Sequence, residues 1–204
     1  MLLVKDLSLL NGRKVSLELL PGHSYVLQGP NGSGKTVLLR TLAGLYPSTF
    51  TAFSYKRKNF DDYRMDDFRS KILYVSSATH LSLEMTAEEF LAAPMKLEIY
   101  KNHTSGFSPD EYLTRWELRG KILAHLSSGQ RQLLTILRTL TLKGEILLLD
   151  EPTSHMDKEK TLEVEALIKT WQKGDPERTF LLVSHSEVQA KRLGTVLEFS
   201  DLIS

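Results

Sequence analysis

The sequence predicts an α/β fold: a mostly parallel sheet with a small N-terminal antiparallel β-subdomain and an inserted helical subdomain. Two runs, Glu145–Leu149 and Thr179–Val183, are almost entirely apolar, as expected of strands that helices cover on both faces. Helix patterns at Gln130–Leu142 and Lys158–Trp171 alternate with these strands, which is typical of a parallel sheet. The strand pattern disappears over about residues 86–120, and this stretch predicts the helical insertion.

The composition excludes several classes of protein. The 204 residues carry 26 basic and 25 acidic side chains, a net charge of +1. Such a balance argues against binding nucleic acid or an anionic membrane by bulk electrostatics. The lack of cysteine excludes disulfide scaffolds, thiolate zinc sites and cysteine nucleophiles. No apolar run approaches the roughly 20 residues of a bilayer span. We therefore expect one intracellular globular domain over residues 1–204.

The N-terminal third predicts short strands, turns and one helix. Apolar and polar residues alternate along Val15–Leu19, the period of a half-buried strand, and Pro21-Gly22 marks a turn. Tyr25–Leu27 is a brief apolar strand that runs into a glycine-rich loop. Apolar residues then recur at helical spacing from about Lys35 to Leu45. The next strand is predicted at Ile72–Val75.

Two further stretches complete the prediction of elements. Residues 46–68 mix polar and aromatic side chains without a clear period, so no particular element is predicted there. Thr86 followed by Glu89 is the pattern of a capping box, which starts a helix through Phe90 and Leu91. The helical insertion is therefore expected to begin at about residue 86.

The loop after the Tyr25–Leu27 strand matches the pattern G-x-x-x-x-G-K-[ST] without a mismatch. Its residues are Gly29, Pro30, Asn31, Gly32, Ser33, Gly34, Lys35 and Thr36. The glycines let successive N–H groups point at phosphate oxygens, and the following helix adds its positive N-terminus. In such a loop the lysine neutralises charge between the β- and γ-phosphates, and the threonine hydroxyl coordinates Mg²⁺. The sequence thus predicts a P-loop NTPase core.

A second motif completes the predicted nucleotide site. The buried strand at residues 146–149 ends in two adjacent carboxylates, Asp150 and Glu151. Because the carboxyl ends of parallel strands share one edge of the sheet, both acids are expected beside the P-loop. This is the pattern of a Walker B element, in which Asp150 holds the Mg²⁺ shell and Glu151 polarises the attacking water.

Five motifs in order resemble those of the ABC ATPases. After the P-loop, Met85–Phe90 is similar to the segment that opens the helical lobe of that family. Leu126–Gln130 resembles its Leu-Ser-Gly-Gly-Gln signature and lies one helix and one strand before Leu149–Pro152. Ser154–Asp157 is similar to the D-loop, and Val183–His185 ends a strand like the switch histidine. The resemblance covers nearly the whole chain.

The resemblance implies a head-to-tail dimer that holds each ATP between one subunit's P-loop and the other's signature. Ser127 and the backbone N–H of Gly129 would then donate to the γ-phosphate of the partner's nucleotide, with Gln130 completing the signature. Asp157 would cross the interface to the P-loop of the partner. These residues join the P-loop as the expected contacts of the nucleotide.

The resemblance also implies how hydrolysis would proceed. Glu151 would act as general base or orient the water, and His185 would contact the γ-phosphate and stabilise the developing charge. Lys35 completes the expected catalytic set. Thr36 and Asp150 are the expected ligands of Mg²⁺.

One departure from the family concerns the metal. The family usually carries a glutamine after the strand that here reads Ile72–Val75, and Ser77 stands at the matching position. A serine hydroxyl would reach the metal through a bridging water, or His80 would take a related part. We therefore expect Ser77 as a third metal-site residue and a metal response that is weakened or routed differently.

A second departure concerns the adenine base. Family members usually stack it on an aromatic side chain between the first two strands, and Ser8–Arg13 contains none. The hairpin is also short. Leu10 or the stem of Arg13 is expected to cover the base instead, with less selectivity for ATP over GTP.

The resemblance implies the ATP-binding and ATP-hydrolysing subunit of an ABC transporter. It would dimerise and dock on a separately encoded membrane permease through the helical insertion, peripheral to the inner face of the cell membrane. The alternatives are an ABC ATPase that acts on nucleic acid or the ribosome, and a weakly hydrolysing nucleotide switch. A small-molecule kinase fits least, because it has no use for the Leu126–Gln130 segment.

Overall fold

The computed structural model describes residues 1–76, 84–100 and 105–203. Within these ranges the strands form two sheets, one antiparallel and one parallel. The strands are β1 (Leu2–Ser8), β2 (Lys14–Leu19), β3 (Ser24–Gln28), β4 (Ala52–Tyr55), β5 (Lys58–Asn59), β6 (Ile72–Val75), β7 (Ile146–Asp150), β8 (Thr179–Val183) and β9 (Thr195–Glu198).

Helices pack on both faces of the parallel sheet, because both faces of its central strands are apolar. They are α1 (Lys35–Leu42), α2 (Met65–Lys71), α3 (Ala87–Ala92), α4 (Asp110–Arg115), α5 (Ser128–Thr141), α6 (Lys158–Lys173) and α7 (Glu187–Leu193). Short 3₁₀ turns link several of them. The predicted α/β class is confirmed.

The parallel sheet has the strand order β6-β7-β8-β3-β9. Strand β8 pairs in parallel with both β7 and β3, so the chain segments that follow these three strands leave the sheet at one edge. Ligands bind at this carboxyl edge in open α/β sheets. The topology thus brings together the P-loop after β3, the acids at the end of β7 and the histidine after β8.

The core lies on either side of this sheet. Along β7, Leu147 and Leu149 pack into a cluster with α5, α6 and α7, whereas Ile146 and Leu148 pack into a second cluster with α1 and the N-terminal strands. All five residues of β7 are buried. Burial on both faces is the reason for the unbroken apolar run that predicted this strand.

The small antiparallel sheet has the order β2-β1-β4-β5 and confirms the predicted N-terminal subdomain. It includes β4 and β5, which lie in the 46–68 stretch for which no element was predicted. Phe53 and Phe60 stack with ring centroids 4.4 Å apart, and Phe68 of α2 meets both edge-on. The aromatic side chains of this stretch therefore form part of the core.

The capping box predicted at the start of α3 is present. The Thr86 hydroxyl accepts from Glu89 N at 3.2 Å, and the Glu89 carboxylate accepts from Thr86 N at 2.8 Å. Helices α3 and α4 occupy the predicted insertion, and its boundary as a subdomain over residues 86–120 stays a prediction. Among the described residues no helix is both long and apolar enough to cross a membrane.

Candidate functional site

The P-loop turns directly from β3 into α1. Gly34 caps the helix with φ at 113°, a left-handed conformation that glycine adopts without steric cost. A Cβ at Gly34 would lie 2.7 Å from Asn11 Nδ2, so the Asn11 amide lies directly against the loop. The cleft beside the loop has a volume of 280 Å³, and its lining includes Asn11, Asn31, Lys35, Thr36 and Glu151.

Lys35 lies inside the P-loop. Its ammonium donates to the carbonyl oxygens of Gly29 at 2.7 Å and Pro30 at 2.8 Å. Burial lowers the pKa of Lys35, and the negative charges of Glu151 and Asp150 act in the opposite direction. Ser33 Oγ is buried without a hydrogen-bond partner. A buried cation and an unpartnered hydroxyl in one loop fit a site for phosphate oxygens.

Asp150 lies across the cleft from the P-loop helix and is held by two hydroxyl groups. Thr36 donates to Asp150 Oδ1 at 3.0 Å, and Tyr74 donates to Oδ2 at 3.2 Å. Burial raises the pKa of Asp150, while the two hydrogen bonds act against that rise. Mg²⁺ prefers oxygen ligands and commonly takes one or two carboxylates together with substrate phosphates. The predicted pair Thr36 and Asp150 therefore fits Mg²⁺ bound with a nucleotide.

Glu151 and His185 meet at the carboxyl edge of the sheet. His185 Nε2 lies 3.0 Å from Glu151 Oε1, although the residues are 34 positions apart. The backbone of Glu151 has φ at 47°, an unusual value for a residue with a side chain, and strain of this kind gathers at functional sites. The structure thus brings two of the three predicted catalytic residues together, and Glu151 lines the P-loop cleft with the third, Lys35.

The predicted signature and D-loop residues lie at the starts of two helices. Ser127 caps α5, where its hydroxyl accepts from Gln130 N and the Gln130 amide oxygen accepts from Ser127 N. A Cβ at Gly129 would lie only 3.0 Å from the His155 carbonyl oxygen. The signature and the D-loop are therefore packed closely against each other. Asp157 caps α6 through Lys160 N at 2.7 Å. Their contacts across a dimer interface stay predictions.

The predicted metal residue Ser77 and its alternative His80 lie outside the described residues. The segment immediately before them is held by a residue that sequence reasoning missed. Gln132 of α5 donates through Nε2 to the carbonyl oxygen of Ser76 at 3.0 Å. This bond ties the end of β6 to the helix that begins at the signature.

The short β1–β2 turn lies directly against the P-loop. Leu10 is 60% exposed, and its expected part in covering the base stays a prediction. The Arg13 guanidinium donates to the Ser33 carbonyl and lies 5.9 Å from the ring centroid of buried Phe199. Asn11, which sequence reasoning missed, lines the cleft beside Gly34. The turn therefore lines the cleft with the Asn11 amide, holds the P-loop through Arg13, and has no aromatic ring of its own.

We expect the chain to bind ATP and GTP with affinities within about threefold of each other, because this turn has no ring to stack on the base. Asn11→Ala should weaken both nucleotides alike, by about fivefold, the worth of one neutral hydrogen bond. Calorimetric titration with each nucleotide measures both effects. Asn59→Ala makes the same chemical change at an exposed residue of β5 outside the cleft, and this matched control should change neither affinity. A tenfold preference for ATP in the unmodified chain would contradict the prediction.

These features define the class of protein: an α/β P-loop protein with a Walker B acid pair. The family model described as ABC transporter matches residues 13–154, more than half of the chain. The chain belongs to this family and is an ATPase of the ABC type.

Relatives extend the similarity over almost the whole chain. The lipoprotein-releasing system ATP-binding protein LolD of Pseudoalteromonas translucida is 30% identical, over 92% of this chain and 83% of that protein. The arginine transport ATP-binding protein ArtP of Haemophilus influenzae is 29% identical, over 92% of this chain and 81% of that protein. A dimeric ATP-binding cassette solved in a post-hydrolysis state with ADP and Pi has the same fold. Its TM-score is 0.80 at 22% identity, over 98% of this chain and 94% of that one.

Proposed function

We propose that this chain binds and hydrolyses ATP to power a separately encoded membrane permease. The observation that carries the proposal is a set of two pairs, Thr36 with Asp150 and Glu151 with His185, in each of which one member, Thr36 or Glu151, lines the P-loop cleft. The first pair has the oxygen chemistry that Mg²⁺ needs. The second places a carboxylate and an imidazole where an attacking water would approach a bound γ-phosphate. Such a site is built for hydrolysis rather than for nucleotide binding alone.

In the proposed reaction each residue has a separate task. Lys35 neutralises the β- and γ-phosphates, and Thr36 with Asp150 holds the Mg²⁺ that screens phosphate charge. Glu151 orients and deprotonates the water. His185, within hydrogen-bond distance of that carboxylate, contacts the γ-phosphate and stabilises the charge that develops on it.

The proposed ATPase works as a head-to-tail homodimer with ATP at the interface. Ser127 and the N–H of Gly129 donate to the nucleotide held by the partner subunit, and Asp157 reaches the partner's P-loop. The dimeric cassette with ADP and Pi supports this arrangement by analogy of fold. The names of LolD and ArtP support a transport role. We place the protein on the inner face of the cell membrane through its permease.

Isolation of the tagged chain from solubilised membranes of its own organism tests the transport role. A polytopic membrane protein should copurify, and the complex should hydrolyse ATP faster than the chain alone. Leu97→Glu, in the helical insertion, should abolish copurification, because Leu97 is 55% exposed there. Leu162→Glu, at an exposed position of α6, is the matched control and should retain copurification. Sedimentation with ribosomes and no polytopic partner would favour the non-transport alternative.

A further inference from the structure

Tyr74 contacts the metal-site carboxylate and also lines a groove along the edge strand β6. Its ring lines a groove of 430 Å³, together with Leu45, Leu73, Leu97, Tyr100 and Arg138. Its hydroxyl donates to Asp150 Oδ2 at 3.2 Å. One side chain thus contacts both the candidate Mg²⁺ site and a surface formed by the helical insertion.

The strand fixes this position. In β6, Leu73 and Val75 pack into the cluster around α5, whereas Ile72 and Tyr74 pack on the side of α1, the helix that follows the P-loop. Tyr74 stands opposite Leu148 of β7, two residues before Asp150. Because β6 is the edge strand of the parallel sheet, the same side chain is also accessible from the groove.

The phenol is oriented by a hydrogen-bond chain that ends on α1. Arg40 Nε donates to the Tyr74 oxygen at 3.1 Å, and Arg40 also donates to the Tyr46 hydroxyl at 2.8 Å. Since the guanidinium only donates, the Tyr74 oxygen accepts from Arg40 and its own proton is directed at Asp150.

We propose that Tyr74 is a positioning residue that orients Asp150 for Mg²⁺ and links the metal site to the groove. The chain carries a serine where the family usually has its metal-sensing glutamine, and Tyr74 supplies a contact with the metal-site carboxylate from within β6 itself. A shift of the aromatic ring at the groove moves its hydroxyl relative to Asp150, because the ring is rigid. The link requires no permease, so it stands independently of the transport role.

Titration of a non-hydrolysable ATP analogue, with Mg²⁺ and with EDTA, tests the positioning role without activity. Mg²⁺ should tighten binding in the unmodified chain, and Tyr74→Phe should reduce that tightening by about tenfold, as for a lost hydrogen bond to a charged group. Affinity in EDTA should change less than twofold. Tyr100→Phe makes the same chemical change in the same groove and should leave both affinities unchanged. Arg40→Met, which removes the donor that orients the phenol, should give a smaller loss of the same kind.

A single fluorescent label tests the link to the groove. The sequence has no cysteine, so Leu97→Cys provides the only thiol for a maleimide dye. The dye signal should change when Mg²⁺ and the analogue are added, and Tyr74→Phe should abolish that change while Tyr100→Phe retains it. The proposal would be overturned if Mg²⁺ tightened binding of the analogue equally in the unmodified chain and in Tyr74→Phe. A dye response that persists in Tyr74→Phe would overturn it as well.

Discussion

Glu151→Gln is expected to lower the rate of ATP hydrolysis by about 10²–10⁴-fold while nucleotide binding stays intact. The amide keeps the size and the hydrogen-bonding shape of the carboxylate but does not accept a proton from water. Glu151 Oε1 lies 3.0 Å from His185 Nε2, and Glu151 is the one carboxylate among the described residues that line the P-loop cleft. Phosphate release under single-turnover conditions measures the rate, and calorimetry measures binding.

The same variant should trap the dimer, because ATP held at the interface is not consumed. Light scattering after size exclusion, with and without ATP, reports the mass of the assembly. Glu159→Gln is the matched control, since this exposed residue of α6 lies outside the cleft, and it should hydrolyse ATP normally. A Glu151→Gln chain that stays monomeric at saturating ATP would contradict the dimer mechanism. Near-normal hydrolysis would contradict the role of Glu151.

Lys35→Ala is expected to abolish ATP binding at millimolar nucleotide, a loss of at least about 100-fold. The variant removes the one cation in the described part of the P-loop, and hydrogen bonds from charged groups are the strong ones in such a site. It also removes the two hydrogen bonds that Lys35 donates to the carbonyl oxygens of Gly29 and Pro30, which stabilise the loop without nucleotide. Both consequences act in the same direction on affinity.

Thermal unfolding measures the loss of ATP binding. A ligand that binds only the folded state raises the melting temperature, so ATP should stabilise the unmodified chain and leave Lys35→Ala unshifted. Lys158→Ala, an exposed residue at the start of α6, is the control and should respond to ATP as the unmodified chain does. Lys35→Arg should bind poorly too, because a planar guanidinium does not fit the space of a buried ammonium. Retained ATP stabilisation in Lys35→Ala would contradict this account.

Local sequence patterns were sufficient to predict those helices and strands whose residues follow a regular pattern of burial or capping. The runs that form β7 and β8 were predicted within one residue, since burial on both faces leaves only apolar residues between their ends. The capping box predicted at Thr86 locates a helix start because both partners lie three residues apart. The structure shows a second one at Ser127, which was not predicted. The predicted helix from Lys35 to Leu45 ends at Leu42 in the structure, and a turn at Gly44 follows.

Short elements held by distant partners were not predictable in the same way. Strand β4 forms by pairing with β1, some 50 residues earlier, and its buried residues Phe53 and Tyr55 alternate over only four positions, too short a run to identify a strand. Strand β9 was missed because it is largely exposed and gives no apolar run. In both cases the partner strand, rather than the local sequence, decides the conformation.

The sequence by itself determined the α/β class, the P-loop, the acid pair and the histidine, because each lies at a fixed place in a strand–loop–helix unit. Only the tertiary structure decided which other side chains reach that site. Asn11 meets Gly34 through the fold of a turn, and Tyr74 meets Asp150 across 76 residues through the pairing of β6 with β7. A hydrogen bond depends on distances of a few tenths of an ångström between groups far apart in the chain. No local period encodes such a distance.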